Sequence, residues 1–111
     1  MKYPIYCNSD DRKAVMALID TILTLGYSIT INDTEDDVIT KSTDELAIRK
    51  EMAGAGEDEV LVHDDDGKIV GWFFLIYDNG SEGDPMVVIC DYSSNEICDE
   101  IWAMVQAEVE A

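Results

Sequence analysis

The chain has 111 residues, 47% of them hydrophobic, with 25 acids against 7 bases and a formal net charge of −18 at pH 7. That length suits one hydrophobic core and one domain over residues 1–111. Charge of this sign opposes direct contact with nucleic-acid phosphates, while the apolar content and two Trp supply the buriable surface that a disordered acidic segment lacks.

The first element is a helix, with Ser9 as its predicted cap and Asp10 and Asp11 set favourably against the positive end of its dipole. Val15, Leu18, Ile19, Ile22 and Leu25 recur at helical spacing, and Gly26 supplies the stop. Tyr27, Ile29 and Ile31 then alternate with polar residues, a polar loop follows, and residues 38–41 resume extended chain, which predicts a hairpin. Ser42, Thr43, Asp44 and Glu45 match a reciprocal capping box, so Ser42 is expected to cap a short helix that runs to about Ala53 and stops at Gly54.

Residues 59–63 and 68–77 read as strands joined by Asp64, Asp65, Asp66 and Gly67, where Asp-Gly is a tight-turn signal. A longer turn over residues 78–85 leads to a third strand at 86–91. Ser93, Ser94, Asn95 and Glu96 repeat the capping box, and Ile97, Ile101, Met104, Val105 and Val109 form the apolar stripe of a last helix. Residues 2–6 are a candidate edge strand. The order predicts an α+β fold: a predominantly antiparallel sheet, made of a hairpin and a three-strand meander, packed by two or three helices. The nearly continuous apolar run at residues 71–77 predicts a central strand covered on both faces, by this chain's own layers or by a partner subunit in a homodimer. Trp102 borders the last helix's stripe and reads as either a core or a contact residue.

No stretch approaches the roughly 20 apolar residues of a membrane span, and no apolar run of signal-peptide length opens the chain, so a cytoplasmic location is expected. Cys7, Cys90 and Cys98 are odd in number and lack a CxxC pair, which predicts buried or partly buried free thiols in a reducing compartment.

Enzyme signals are poor. His63 is the single histidine, which excludes HExxH and multi-His zinc sites, and no phosphate-binding glycine loop is present. A Cys90, His63 and Asp91 constellation fails on geometry, because adjacent strand residues point to opposite faces while a nucleophile, base and orienter must converge. The Asp64–66 run lacks the alternate ligands and terminal Glu of a calcium loop. No catalytic, cofactor-binding or metal-ligating residue is therefore assigned.

What remains is protein binding. Residues 54–111 carry 15 acids and one base, Lys68, for a net charge of −14, against −4 in residues 1–53. Acids at the loop tips and along the last helix, Asp64, Asp65, Asp66, Glu82, Asp84, Glu96, Asp99 and Glu100, are the candidate partner-binding residues. Such an array can occupy a basic groove built for DNA, whose axis carries about one charge per 1.7 Å. The segments GWFFLIYDNG and CDYSSNE resemble those of small, uncharacterised acidic proteins encoded by phages and prophages. That resemblance implies a mobile-element setting in which compact acidic proteins disarm host defences. The expected function is thus a non-enzymatic, nucleic-acid-mimicking inhibitor of anti-restriction or anti-CRISPR type, whose partner is a basic host defence protein. The alternatives are an immunity protein that neutralises a basic nuclease toxin, and a small metal-dependent enzyme or regulator that uses the acidic loops.

Overall fold

In the computed structural model, which describes residues 7–32, 37–54, 56–77 and 85–110, three helices and five strands form an α+β fold. The elements run α1 (Ser9–Thr24), β1 (Ser28–Asn32), β2 (Asp37–Ser42), α2 (Glu45–Glu51), β3 (Glu57–His63), β4 (Ile69–Ile76), a 3₁₀ turn (Pro85–Val88), β5 (Ile89–Tyr92) and α3 (Glu96–Glu110). The sheet order is β2-β1-β3-β4-β5, and every neighbouring pair is antiparallel. The hairpin and the meander expected from the sequence are therefore both present, joined by the β1–β3 pairing. The candidate strand at residues 2–6 and the turn at 78–84 lie outside the described residues.

Each helix begins one or two residues away from its predicted cap, on an Asx side chain. Asn8 accepts from the Asp11 N–H at 2.7 Å, Asp44 from the Ala47 N–H at 3.2 Å, and Asn95 from the Cys98 N–H at 2.8 Å. Ser42 and Ser93 serve elsewhere, accepting from the N–H groups of Asp44 and Trp72. α1 ends as predicted at Gly26, whose φ of 93° lets Tyr27 N–H reach Ile22 O and Gly26 N–H reach Leu23 O. α2 ends earlier than expected, and Ala53 rather than Gly54 takes the left-handed conformation, at φ 63°. Its N–H is held there by the buried Asp58 carboxylate at 2.7 Å.

One face of the sheet carries the core. Ile29 and Ile31 of β1, Val60 and Val62 of β3, and Phe73 and Leu75 of β4 are fully buried against Val15, Leu18, Ile19 and Ile22 of α1, Ile48 of α2, and Cys98, Ile101 and Val105 of α3. The α3 stripe passes through Cys98 and not Met104, which is 39% exposed. Phe73, Tyr92 and Trp102 stack in sequence with centroid separations of 5.6 and 5.3 Å, so Trp102 ties α3 to β5 and β4. Gly71 admits α3 to the sheet, since a Cβ there would overlap the Cys98 sulfur.

Two expectations about the strands are corrected. The central strand is β3, with β4 next to it. Residues 86–88 coil into the 3₁₀ turn, so the last strand is shorter than 86–91. Of the covers expected for β4, this chain's described helices supply one face: Gly71, Phe73, Leu75 and Tyr77 are buried, whereas Trp72, Phe74 and Ile76 are half-buried and lie outside the core cluster. No helix among the described residues is long and apolar enough to cross a membrane. The three cysteines are free thiols, with Cys98 buried, Cys7 half-buried and Cys90 exposed rather than covered.

Candidate protein-binding surface

The β3–β4 turn is built by its own first residue. Asp64 Oδ1 accepts from the N–H groups of Asp66 at 3.0 Å and Lys68 at 2.9 Å, while Gly67 N–H closes onto Asp64 O at 2.9 Å. Gly67 sits at φ 79°, the conformation that the Asp-Gly pair supplies. Asp64 is therefore a turn-forming carboxylate, and the charges shown to solvent are those of Asp65 and Asp66. Some cationic charge also lies here, because Lys41, itself at φ 46°, places its Nζ 3.3 Å from where a Gly67 side chain would begin.

Asn95 Nδ2 donates to Val70 O at 3.1 Å, which fixes the start of α3 beside the start of β4. Glu96, Asp99 and Glu100, all exposed, thus lie toward the same end of β4 as the Asp64–66 turn. Glu82 and Asp84 lie outside the described residues, and the chain leading to them leaves β4 at Tyr77, the opposite end of that strand. Of the predicted acidic set, the turn and α3 lie toward one end of β4, and Glu82 and Asp84 are not among the described residues.

Inside that acidic end His63 is buried and committed. Gly67 O can only accept, so His63 Nδ1 carries the proton and donates to it at 3.1 Å. Nε2 is hydrogen-bonded with the Thr30 hydroxyl at 2.8 Å, and Thr30 Oγ1 accepts from Lys41 N–H at 3.0 Å. This relay pins β1, β2 and the turn together. It also separates His63 from Cys90 and Asp91: His63 pairs with Ile69, whereas Asp91 pairs with Phe74, five residues further along β4 or about 16 Å. Among the described residues no three His, Cys, Asp or Glu side chains form a group that could hold a metal ion.

Two features were not legible in the sequence. At the other end of the sheet the buried Asp58 accepts from the Tyr77 hydroxyl at 2.6 Å as well as from Ala53 N–H. Burial first, and then the Asp58 charge, push the Tyr77 phenol well above its ordinary pKa. Burial likewise raises the Cys7 thiol, opposed by Arg12 and reinforced by Asp11. The second feature is a groove of about 500 Å³ with Arg12, Lys13, Met16, Asp20, Glu45 and Glu108 on its walls. It joins side chains from all three helices, so no local motif announces it. No family model, curated protein or solved structure matches the chain.

Proposed function

We propose that the protein is a non-enzymatic inhibitor that docks on a basic, nucleic-acid-binding protein, a host defence component of restriction or CRISPR type, by offering carboxylates where that protein holds phosphates. The observation that supports this reading is the convergence of exposed acids from two elements, Asp65 and Asp66 of the turn and Glu96, Asp99 and Glu100 of α3, on one end of the fold. The repulsion among the α3 carboxylates is tolerable because Glu96 and Asp99 lie in the first turn, where the helix dipole favours negative charge. The relay through His63 and Thr30 holds the turn rigidly against the sheet, so the carboxylates are presented with little ordering cost on binding.

The test is association with a panel of basic restriction and CRISPR nucleases, followed at low and high salt with duplex DNA as competitor. Electrostatic docking predicts an on-rate that falls at least about tenfold as salt rises. DNA and this protein should exclude one another, and Asp99→Lys with Glu100→Lys should slow association without unfolding the domain. A salt-independent on-rate, or a ternary complex with DNA, rules the mechanism out.

A further inference from the structure

The two faces of the sheet differ in character. Residues that alternate with the core positions place Leu61 of β3 opposite Trp72 of β4, Glu59 opposite Phe74, and Glu57 opposite Ile76. On the other side of β4, Asp91 of β5 stands opposite Phe74. Trp72, Phe74 and Ile76 therefore form an apolar stripe along one strand, widened by Leu61, and none of the four joins the core cluster. Carboxylates flank the stripe on both sides. Strands β1, β3, β4 and β5 contain no Lys or Arg.

We propose that this face is a docking surface for a basic amphipathic helix of a partner protein, seated along β4 on Trp72, Phe74 and Ile76, with its Lys or Arg flanks meeting Glu57 and Glu59 on one side and Asp91 on the other. The dimensions agree. The four residue steps of β4 from Trp72 to Ile76 span about 13 Å, and helix positions i, i+4 and i+7 span about 10.5 Å at 1.5 Å per residue. A helix so placed repeats, on the face that no described helix covers, the helix-on-sheet packing that α1 and α3 make on the other.

Charge selects among the occupants. A second copy of the chain would bring two sets of Glu57, Glu59 and Asp91 together across an interface between molecules each of net charge −18, which opposes pairing. Strand addition at the sheet edges is hindered as well. The β1–β2 pairing is irregular in register and Lys41 is left-handed, while β5 has four residues and its Asp91 carboxylate already takes the Tyr92 N–H at 2.9 Å.

The inference rests on the same choice of a basic partner as the proposed function but concerns a different surface, so its test uses a peptide rather than a nuclease. The probe is a synthetic Leu/Lys peptide with helical periodicity, compared with a scrambled peptide of identical composition, by calorimetry and by NMR shift mapping on the whole chain. The periodic peptide is expected to bind as a helix, to shift Leu61, Trp72, Phe74 and Ile76, and to lose at least about tenfold in affinity with Phe74→Gln and with Glu59→Gln plus Asp91→Asn. Circular dichroism checks each variant, and Ile76→Gln replaces Phe74→Gln if the latter unfolds. Equal binding of the scrambled peptide, with shifts at Asp65, Asp66, Glu96 and Asp99, overturns the inference and leaves the acidic end standing as the docking site. Failure of both peptides to bind, or a dimer of this chain abolished by Phe74→Gln, also overturns it. Salt-independent nuclease association together with a peptide seated on β4 removes the acidic-end reading alone.

Discussion

Replacing Gly71 with Ala tests whether the close approach of α3 to β4 organises this fold. The added Cβ would overlap Cys98 Sγ and lie 3.2 Å from Ser93 Oγ. Neither neighbour can yield cheaply. Ser93 Oγ accepts from Trp72 N–H at 3.0 Å and is hydrogen-bonded with Cys98 Sγ at 3.1 Å, while Cys98 is fully buried and its N–H is held by Asn95 Oδ1 at 2.8 Å. Overpacking costs roughly 1–3 kcal/mol, and the entropy lost by the unfolded chain on Gly→Ala returns only about 0.4–1 kcal/mol. With several hydrogen bonds resisting relaxation the net loss should be about 2 kcal/mol, or roughly 8–16 °C in Tm at 4–8 °C per kcal/mol for a domain near this size. Cys98→Ala alone leaves a small cavity and should cost about 1 kcal/mol. In the double variant the new methyl group occupies the space of the lost sulfur, so the two changes should couple by about 2 kcal/mol. Urea unfolding followed by circular dichroism, with constant m values, reads all three. If Gly71→Ala matches the parent, or the double variant costs the sum of its parts, the tight packing inferred here is wrong.

Two further outcomes follow from the hydrogen-bond geometry. Asp64→Ala removes the acceptor of two N–H groups and should cost roughly 1–2 kcal/mol, whereas Asp64→Asn keeps an acceptor oxygen and Asp65→Asn with Asp66→Asn should leave stability equal or slightly higher; equal losses at all three positions in urea unfolding would deny Asp64 its turn-forming role. The Tyr77 phenol, raised in the folded state, keeps a proton that the unfolded chain releases near pH 10, so its stabilisation is complete below that pH and is lost as pH rises above it. Tyr77→Phe loses the hydrogen bond to Asp58 and should be less stable at neutral pH, yet its stability should fall less steeply than the parent's above pH 10, and tyrosinate absorbance of the parent should show one of its five Tyr silent until the dichroism collapses. Ionisation of all five in the intact fold contradicts this.

The sequence made the architecture legible because its signals were local and redundant. Helical spacing in α1, the Asp-Gly turn and the alternating β1 each specify an element without reference to the rest. The caps show where locality ends. Serine capping boxes and Asx residues stand side by side before α2 and α3, and both are competent to cap. At α3 the choice is settled by a tertiary bond, Ser93 to Trp72 N–H, which occupies the serine and leaves Asn95 to cap. The acidic end was legible only as charge, since the contact that unites its two elements, Asn95 with Val70, joins residues 25 positions apart.

The run at residues 71–77 left its cover undecided for a different reason. Unbroken apolarity in a strand fits burial on both faces, and it fits equally a strand with one face in the core and an apolar stripe on the other. Only a count of covering elements distinguishes them. Five strands spaced by about 4.8 Å extend roughly 19 Å between the outer axes, and two helices of about 10 Å diameter side by side cover that width. α1 and α3 are packed against each other, and they and α2 feed the same core cluster, so the described helices are used up on one face. Trp72, Phe74 and Ile76 consequently lie, half-buried, on a sheet face that no helix among the described residues covers, bordered by the carboxylates of Glu57, Glu59 and Asp91. The amphipathic helix of a partner protein proposed above matches that stripe, and Glu57, Glu59 and Asp91 favour a basic one.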